Sequence, residues 1–184
     1  MRNNKKIALL LFLAAAPLFM QCKDSGEELE PDEENELITT VTLHFTDEAS
    51  GTTSTFLFQD KDGTGGNDAS QFDTIRLAPN SSYTLELEFL DESKNPTDDI
   101  TGEILEEAVD HLVLITPNPS TALTYHYSDE DSNGLPLGLS GHVNTASAVS
   151  GKLKVQLRHQ PGTKDGTSTP GTDDVNIDFP LIIE

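Results

Sequence analysis

The sequence predicts a mainly β protein: an antiparallel β-sandwich of the immunoglobulin-like or Greek-key type over residues 37–184, with about eight or nine strands and one short helix. Three observations predict it. Apolar residues alternate with polar ones in most stretches after Leu37, which is the signature of half-buried antiparallel strands. Short clusters of Gly, Pro, Asn and Asp separate those stretches, and these residues make turns. A single segment near Ile100 has helical spacing instead.

The residues before the sandwich read differently. Arg2, Lys5 and Lys6 precede an apolar run from Ile7 to Pro17, and Leu18-Phe19-Met20-Gln21-Cys22 follows. A basic start and a short apolar core make residues 1–21 a secretory signal peptide. The run is shorter than the ~20 residues a spanning helix needs. Cys22 is the sole cysteine, so no internal disulfide forms. The arrangement resembles a bacterial lipoprotein signal, which implies that Cys22 is diacylated and becomes the mature N-terminus. Gln21 stands where such signals usually have a small residue, and Phe19 and Met20 are bulky. The alternative is ordinary cleavage nearby, leaving Cys22 a free thiol.

Residues 22–36 carry Lys23 and then a run of acids from Asp24 to Glu36. Like charges in a block repel and keep a chain open, so this is an acidic flexible tether. A lysine followed by acids also resembles the surface-export signal of some Gram-negative lipoproteins.

The strands follow in order. Val41, Leu43 and Phe45 alternate with Thr42 and His44; Phe56 and Phe58 alternate with Thr55 and Leu57; Ile75 and Leu77 form a third, short strand. After the turn at Ala78–Ser82, Tyr83, Leu85, Leu87 and Phe89 alternate with Thr84, Glu86 and Glu88. Thr97-Asp98-Asp99 then offers a helix cap. Ile100, Ile104, Leu105, Ala108 and Leu112 recur at helical spacing opposite an acidic face of Glu103, Glu106, Glu107 and Asp110; roughly three turns fit at 3.6 residues each. Strands resume at Leu112–Thr116, Leu123–Tyr127, Leu139–Thr145 and Leu153–Leu157, and the last runs from Val175 to Ile183. Pro180 within it predicts an edge or a bulge. Thr55–Asp62 echoes Thr124–Asp131, which suggests two four-stranded units packed face to face plus a final strand.

Charge narrows the partners. The chain carries a net −21. Removing residues 1–21 takes away three basic residues and no acids, leaving 163 residues at −24. So acidic a body repels phosphate backbones, which excludes nucleic acid, and it favours cationic ligands or divalent metals.

The first candidate site is Asp129-Glu130-Asp131-Ser132-Asn133-Gly134. Calcium takes six to eight oxygens, and alternate carboxylates in a tight Gly turn converge. Asp129, Asp131 and Asn133 match the first half of an EF-hand loop, but the twelfth position is Ser140. Asp60, Asp62 and Asp68 form a second acidic loop. The competing reading of both is a plain hairpin turn. Among the histidines, His44, His126 and His142 oppose the apolar residues of their strands and face solvent. His159 continues the Leu153, Val155, Leu157 face, and His111 sits at the helix end beside Asp110. His111 and His159 are candidate zinc or haem ligands, or else hydrogen-bonded structural residues. The folded body has no cysteine nucleophile, no G-x-S-x-G and no H-E-x-x-H, so no catalytic residue is assigned.

Several stretches together resemble a group of uncharacterised small bacterial surface lipoproteins. They are Asn35-Glu36-Leu37-Ile38-Thr39-Thr40, Asp62-Gly63 with Gly65-Gly66-Asn67, Asp98-Asp99-Ile100-Thr101, Asp131 to Gly138, Leu157-Arg158-His159-Gln160-Pro161 and Thr172-Asp173. The likeness covers nearly the whole mature chain. Such proteins are often labelled with the type 1 periplasmic-binding fold, which implies two α/β lobes; the length and the period-two pattern here imply one sandwich instead. The resemblance transfers no activity and no catalytic residue.

The expected function is therefore a noncatalytic binding or accessory module, anchored by lipid to the outer membrane at the cell surface and serving an outer-membrane transporter or another surface protein. Two alternatives stand beside it. One is a calcium-stiffened structural or adhesive domain. The other is metal or haem capture through His111 and His159.

Overall fold

The structure is a computed structural model that describes residues 36–62 and 66–184. Cys22, Lys23 and the tether up to Asn35 lie outside the described residues, as do Gly63 and Gly65.

Among the described residues, eleven strands and one helix follow in the order β1 (Thr40–Asp47), β2 (Thr53–Gln59), β3 (Gln71–Phe72), β4 (Ile75–Leu77), β5 (Ser82–Asp91), β6 (Asp98–Asp99), α1 (Ile100–Glu106), β7 (His111–Asn118), β8 (Leu123–Tyr127), β9 (Ser140–Thr145), β10 (Val149–His159) and β11 (Thr172–Ile183). Sheet A has the order β3-β2-β1-β5-β9-β8, with β6 also on β5; sheet B has the order β4-β11-β10-β7. The two form a β-sandwich, as the alternation predicts. The chain does not form the two α/β lobes of the periplasmic-binding label.

The period-two pattern sets the register. In sheet A, Val41, Leu43 and Phe45 lie opposite Phe89, Leu87 and Leu85. In sheet B, Leu153, Val155 and Leu157 lie opposite Pro117, Ile115 and Val113 on one side and Phe179, Ile177 and Val175 on the other. Each sheet thus turns one apolar face inward, and a slip of one residue would turn that face to water. Phe45, Phe89 and Phe179 are fully buried in the shared core. Phe72 bridges the sheets at the side, with its ring centroid 5.3 Å from Phe58 and 5.4 Å from Phe179.

Several expectations are corrected. The two additional strands, β3 and β6, are two residues each and too short to show alternation. Strand β4 pairs parallel to β11, not antiparallel. The halves of the chain do not form one sheet each: β4 leaves the first half for sheet B, while β8 and β9 of the second half join sheet A. The echoing strands β2 and β8 are both in sheet A. The helix is seven residues rather than three turns. Asp99 caps it by accepting the Thr101 N–H at 3.1 Å, and Ile100 and Ile104 are buried. Leu105 falls off that stripe and is 62% exposed, while Leu112 belongs to β7. Pro180 is in an inner strand away from the bulge, which lies at Leu157 and Arg158. It is tolerated because β4 pairs only with Leu181–Ile183, so the flank of β11 at Pro180 carries no ladder partner that its missing N–H would fail.

The close approach of β7 and β10 needs a glycine. A Cβ on Gly151 would stand 2.1 Å from the Asn118 carbonyl oxygen and 2.9 Å from Pro119 Cδ. Gly151→Ala is expected to lower stability by about 1–3 kcal/mol, typical of overpacking, read as a shift of the urea midpoint.

Candidate functional site

One end of the sandwich gathers the α1–β7 turn, the β8–β9 loop and the β10–β11 loop. The link between them is Lys164. Its side chain is 2% exposed and its ammonium donates to the Ala108 carbonyl at 2.8 Å and lies 2.9 Å from Asp131 Oδ2, which is fully buried. Nearby, Gln160 N–H donates to the Asp110 carbonyl at 2.6 Å and Gly162 N–H to Asp110 Oδ1 at 2.9 Å. The buried Gln160 amide donates to the Thr167 and Pro170 carbonyls. Three loops far apart in sequence are therefore tied by donors aimed at fixed acceptors.

In the first acidic loop, a candidate calcium loop, the carboxylates are engaged by the chain itself. Asp131 Oδ1 accepts from Asn133 N–H at 2.8 Å and Leu135 N–H at 3.0 Å, and its other oxygen faces Lys164. Asp129 spends both oxygens on backbone, accepting from Gly138 N–H at 2.7 Å and Ser140 N–H at 2.9 Å. Asn133 is exposed and enters through its backbone. The carboxylates thus organise the turn, and the Lys164 ammonium balances Asp131. Burial pushes the Asp131 carboxyl up, but Lys164 and the Leu135 and Asn133 amides outweigh it and hold the pKa below the usual value.

In the second acidic loop the Asp60 and Asp62 side chains meet in a hydrogen bond. Asp62 Oδ2 accepts from Asn67 N–H at 2.8 Å and Asn67 Nδ2 at 2.6 Å, while Asp68 is exposed. Asp60 also lines a 150 Å³ cavity beside Ile38, Phe58 and Asp174. Among the described residues, no group of three His, Cys, Asp or Glu side chains is arranged to hold a metal ion.

His111 and His159 are brought together. They pair directly across β7 and β10, and their rings stack at 4.9 Å with planes 11° apart. Parallel stacked rings set their nitrogens side by side rather than aiming them at one point, which does not suit shared zinc or haem ligation. His111 is 1% exposed. Its Nδ1 lies 3.1 Å from the Glu107 carbonyl, so Nδ1–H donates and Nε2 is the acceptor; Nε2 is buried without a partner. Burial lowers the His111 pKa against the pull of the Glu107 carbonyl, and His159 lowers it further. Of the three histidines expected to face solvent, His126 and His142 are exposed. His44 is half-buried, with its Nδ1 3.0 Å from Thr55 Oγ1.

Lys164, Gln160 and Asp174 carry no signal in the sequence. A lysine in a Gly-, Thr- and Asp-rich loop reads as solvated, and its partner Asp131 lies in another loop. Asp174, at the start of β11, has both carboxylate oxygens buried with no hydrogen-bond partner. Burial pushes its carboxyl up to about 6; His159 opposes this, and Glu36 and Asp173 add repulsion.

No family model matches the chain, and comparisons with curated proteins and with solved structures returned no match.

Two outcomes follow from these charges. Lys164→Met strands a buried carboxylate. The pair lies beneath surface loops, so the expected loss is near the low end of the usual range, about 3 kcal/mol by urea denaturation; adding Asp131→Asn recovers part of it. Because the folded pKa of Asp131 is depressed, its contribution is present above the unfolded value of 3.8 and is lost as pH falls through the folded one. Asp174 has the opposite sign. Its folded pKa lies above the unfolded 3.8, so its ionised form costs stability that builds as pH rises from 3.8 to about 6. Asp174→Asn is expected to raise the Tm at pH 7.5, with the gain shrinking below about pH 6 and gone below about pH 4.

Proposed function

We propose that this chain is a lipid-anchored, noncatalytic binding or accessory module, held at the outer membrane through Cys22 and an acidic tether, and that it engages another surface protein such as a transporter. The observation that carries this reading is the loop end fixed by Lys164. Recognition in sandwiches belongs to loops set on a rigid scaffold, and loops already ordered lose less freedom on binding. Lys164 and Asp131 join two of the loops, while the Asp129 and Gln160 side chains brace their own loops from within. Beside them Leu105 is 62% exposed and Val109 37%. They stand among Glu103, Glu106 and Glu107, an apolar pair in an acidic rim suited to a partner with an apolar contact framed by basic residues.

A photo-crosslinking residue placed at Leu105 or Val109 of the full chain in a Gram-negative host is expected to capture one discrete partner band, and the same residue at exposed Ser54 none. Equal capture at all three positions, or none at any, overturns the reading. Cys22→Ala is expected to move the protein from the membrane to the soluble fraction; unchanged membrane retention overturns the lipid anchor.

A further inference from the structure

The outward face of sheet B differs from the rest of this acidic surface. Strand β10 buries Leu153, Val155 and Leu157 and turns Lys152, Lys154, Gln156 and Arg158 outward. Register places Lys152 between Asn118 and Pro180, and Lys154 between Thr116 and Asp178. With Pro117 and Ser120, both lysines, Thr116, Asn118 and Asp178 line a concavity of about 540 Å³. That is within the ~300–1,000 Å³ of small-molecule clefts.

The lining is rich in donors. Lys152 and Lys154 bring ammonium groups, Thr116 and Ser120 hydroxyls and Asn118 an amide, against one carboxylate, Asp178. An ammonium has three N–H donors. Lys154 directs two of them to Asn176 Oδ1 at 2.7 Å and Asp178 Oδ1 at 3.2 Å; Lys152 has only a 3.6 Å ion pair with Asp178 Oδ2. Both lysines remain reachable, with side chains 35% and 59% exposed. The hydrogen bond from Lys154 and the charge of both lysines hold the Asp178 carboxyl below its usual range. One carboxylate balances one of the two ammonium charges, and the concavity keeps an excess positive charge on a chain of net −21. At physiological salt the Debye length is about 8 Å, so the distant acids are screened and the local lysines decide what approaches.

We propose that this concavity binds the oxyanion group of a small ligand, a carboxylate or a phosphate, bridged by Lys152 and Lys154 and oriented by Thr116, Asn118 and Ser120. The site is separate from the loop end and does not depend on it.

The test is a ¹H–¹⁵N titration of the detergent-solubilised full chain with inorganic phosphate, with galacturonate and with neutral glucose, at constant ionic strength. Saturable shifts at the Thr116, Asn118 and Lys152 amides are expected with phosphate or galacturonate and not with glucose. Whichever anion binds identifies the source of the oxyanion. Lys152→Ala, at an exposed position, and Lys154→Ala, at a half-buried one, are expected to weaken binding about tenfold each, equal to about 1.4 kcal/mol, while Lys94→Ala leaves it unchanged. An equal response to glucose, the absence of saturation with both anions, or shifts that persist in the double lysine variant overturns the proposal.

Discussion

Each sheet of this protein has one apolar face, and each has chiefly the other to bury it against. That constraint organises the whole molecule. Most inward side chains of β1, β5, β10 and β11 have an apolar residue directly opposite on the neighbouring strand. Burial is favourable by roughly 25 cal/mol per Å² of apolar surface, so register errors that expose a whole face are costly. The turns, the short strands and the glycine at residue 151 all serve the closeness this packing needs.

The loop end is held by a different kind of force. No apolar cluster of its own orders the β10–β11 loop; Lys164, Gln160 and Arg158 reach instead to carbonyls and carboxylates of neighbouring segments. A buried ion pair gains little over a well-packed apolar pair. Its contribution here is geometric: an ammonium accepts only certain positions for Ala108 and Asp131, and those positions define how three loops stand. Asp174 and His111, like Gln160 at Oε1 and Arg158 at Nε, have buried polar atoms left without partners. Such atoms cost stability, and here they lie together with His159 where β7 and β11 begin and β10 ends.

Nine strands were legible in the sequence because each is long enough to alternate and is bounded by turn formers. What escaped is what two residues or a distant partner decide. β3 and β6 show no pattern at that length. The parallel pairing of β4 depends on a strand more than 100 residues further on. The helix seemed longer because Leu105, Ala108 and Leu112 continue its spacing, while β-pairing of His111 with His159 claims the chain before Leu112. The acidic turn at Asp129–Gly134 was legible as a carboxylate-organised loop. Its counter-ion was not, since Lys164 is 33 residues beyond Asp131 and resembles any solvated lysine. The juxtaposition of His111 and His159 follows from the register of β7 and β10, which apolar periodicity specifies only when both strands are known to be neighbours.

Strand β11 lies inside sheet B, between β10 and the parallel β4, and contributes Phe179, Leu181 and Ile183 to the core. The sheet therefore closes around β11. Until it is in place, β4 has no neighbour within sheet B and the inner face of β10 is open. The pairing that closes it joins Ile75 to Leu181, and contacts so distant in sequence slow folding. Loosening β11 alone would therefore uncouple β4 from β10 and open sheet B in a single step.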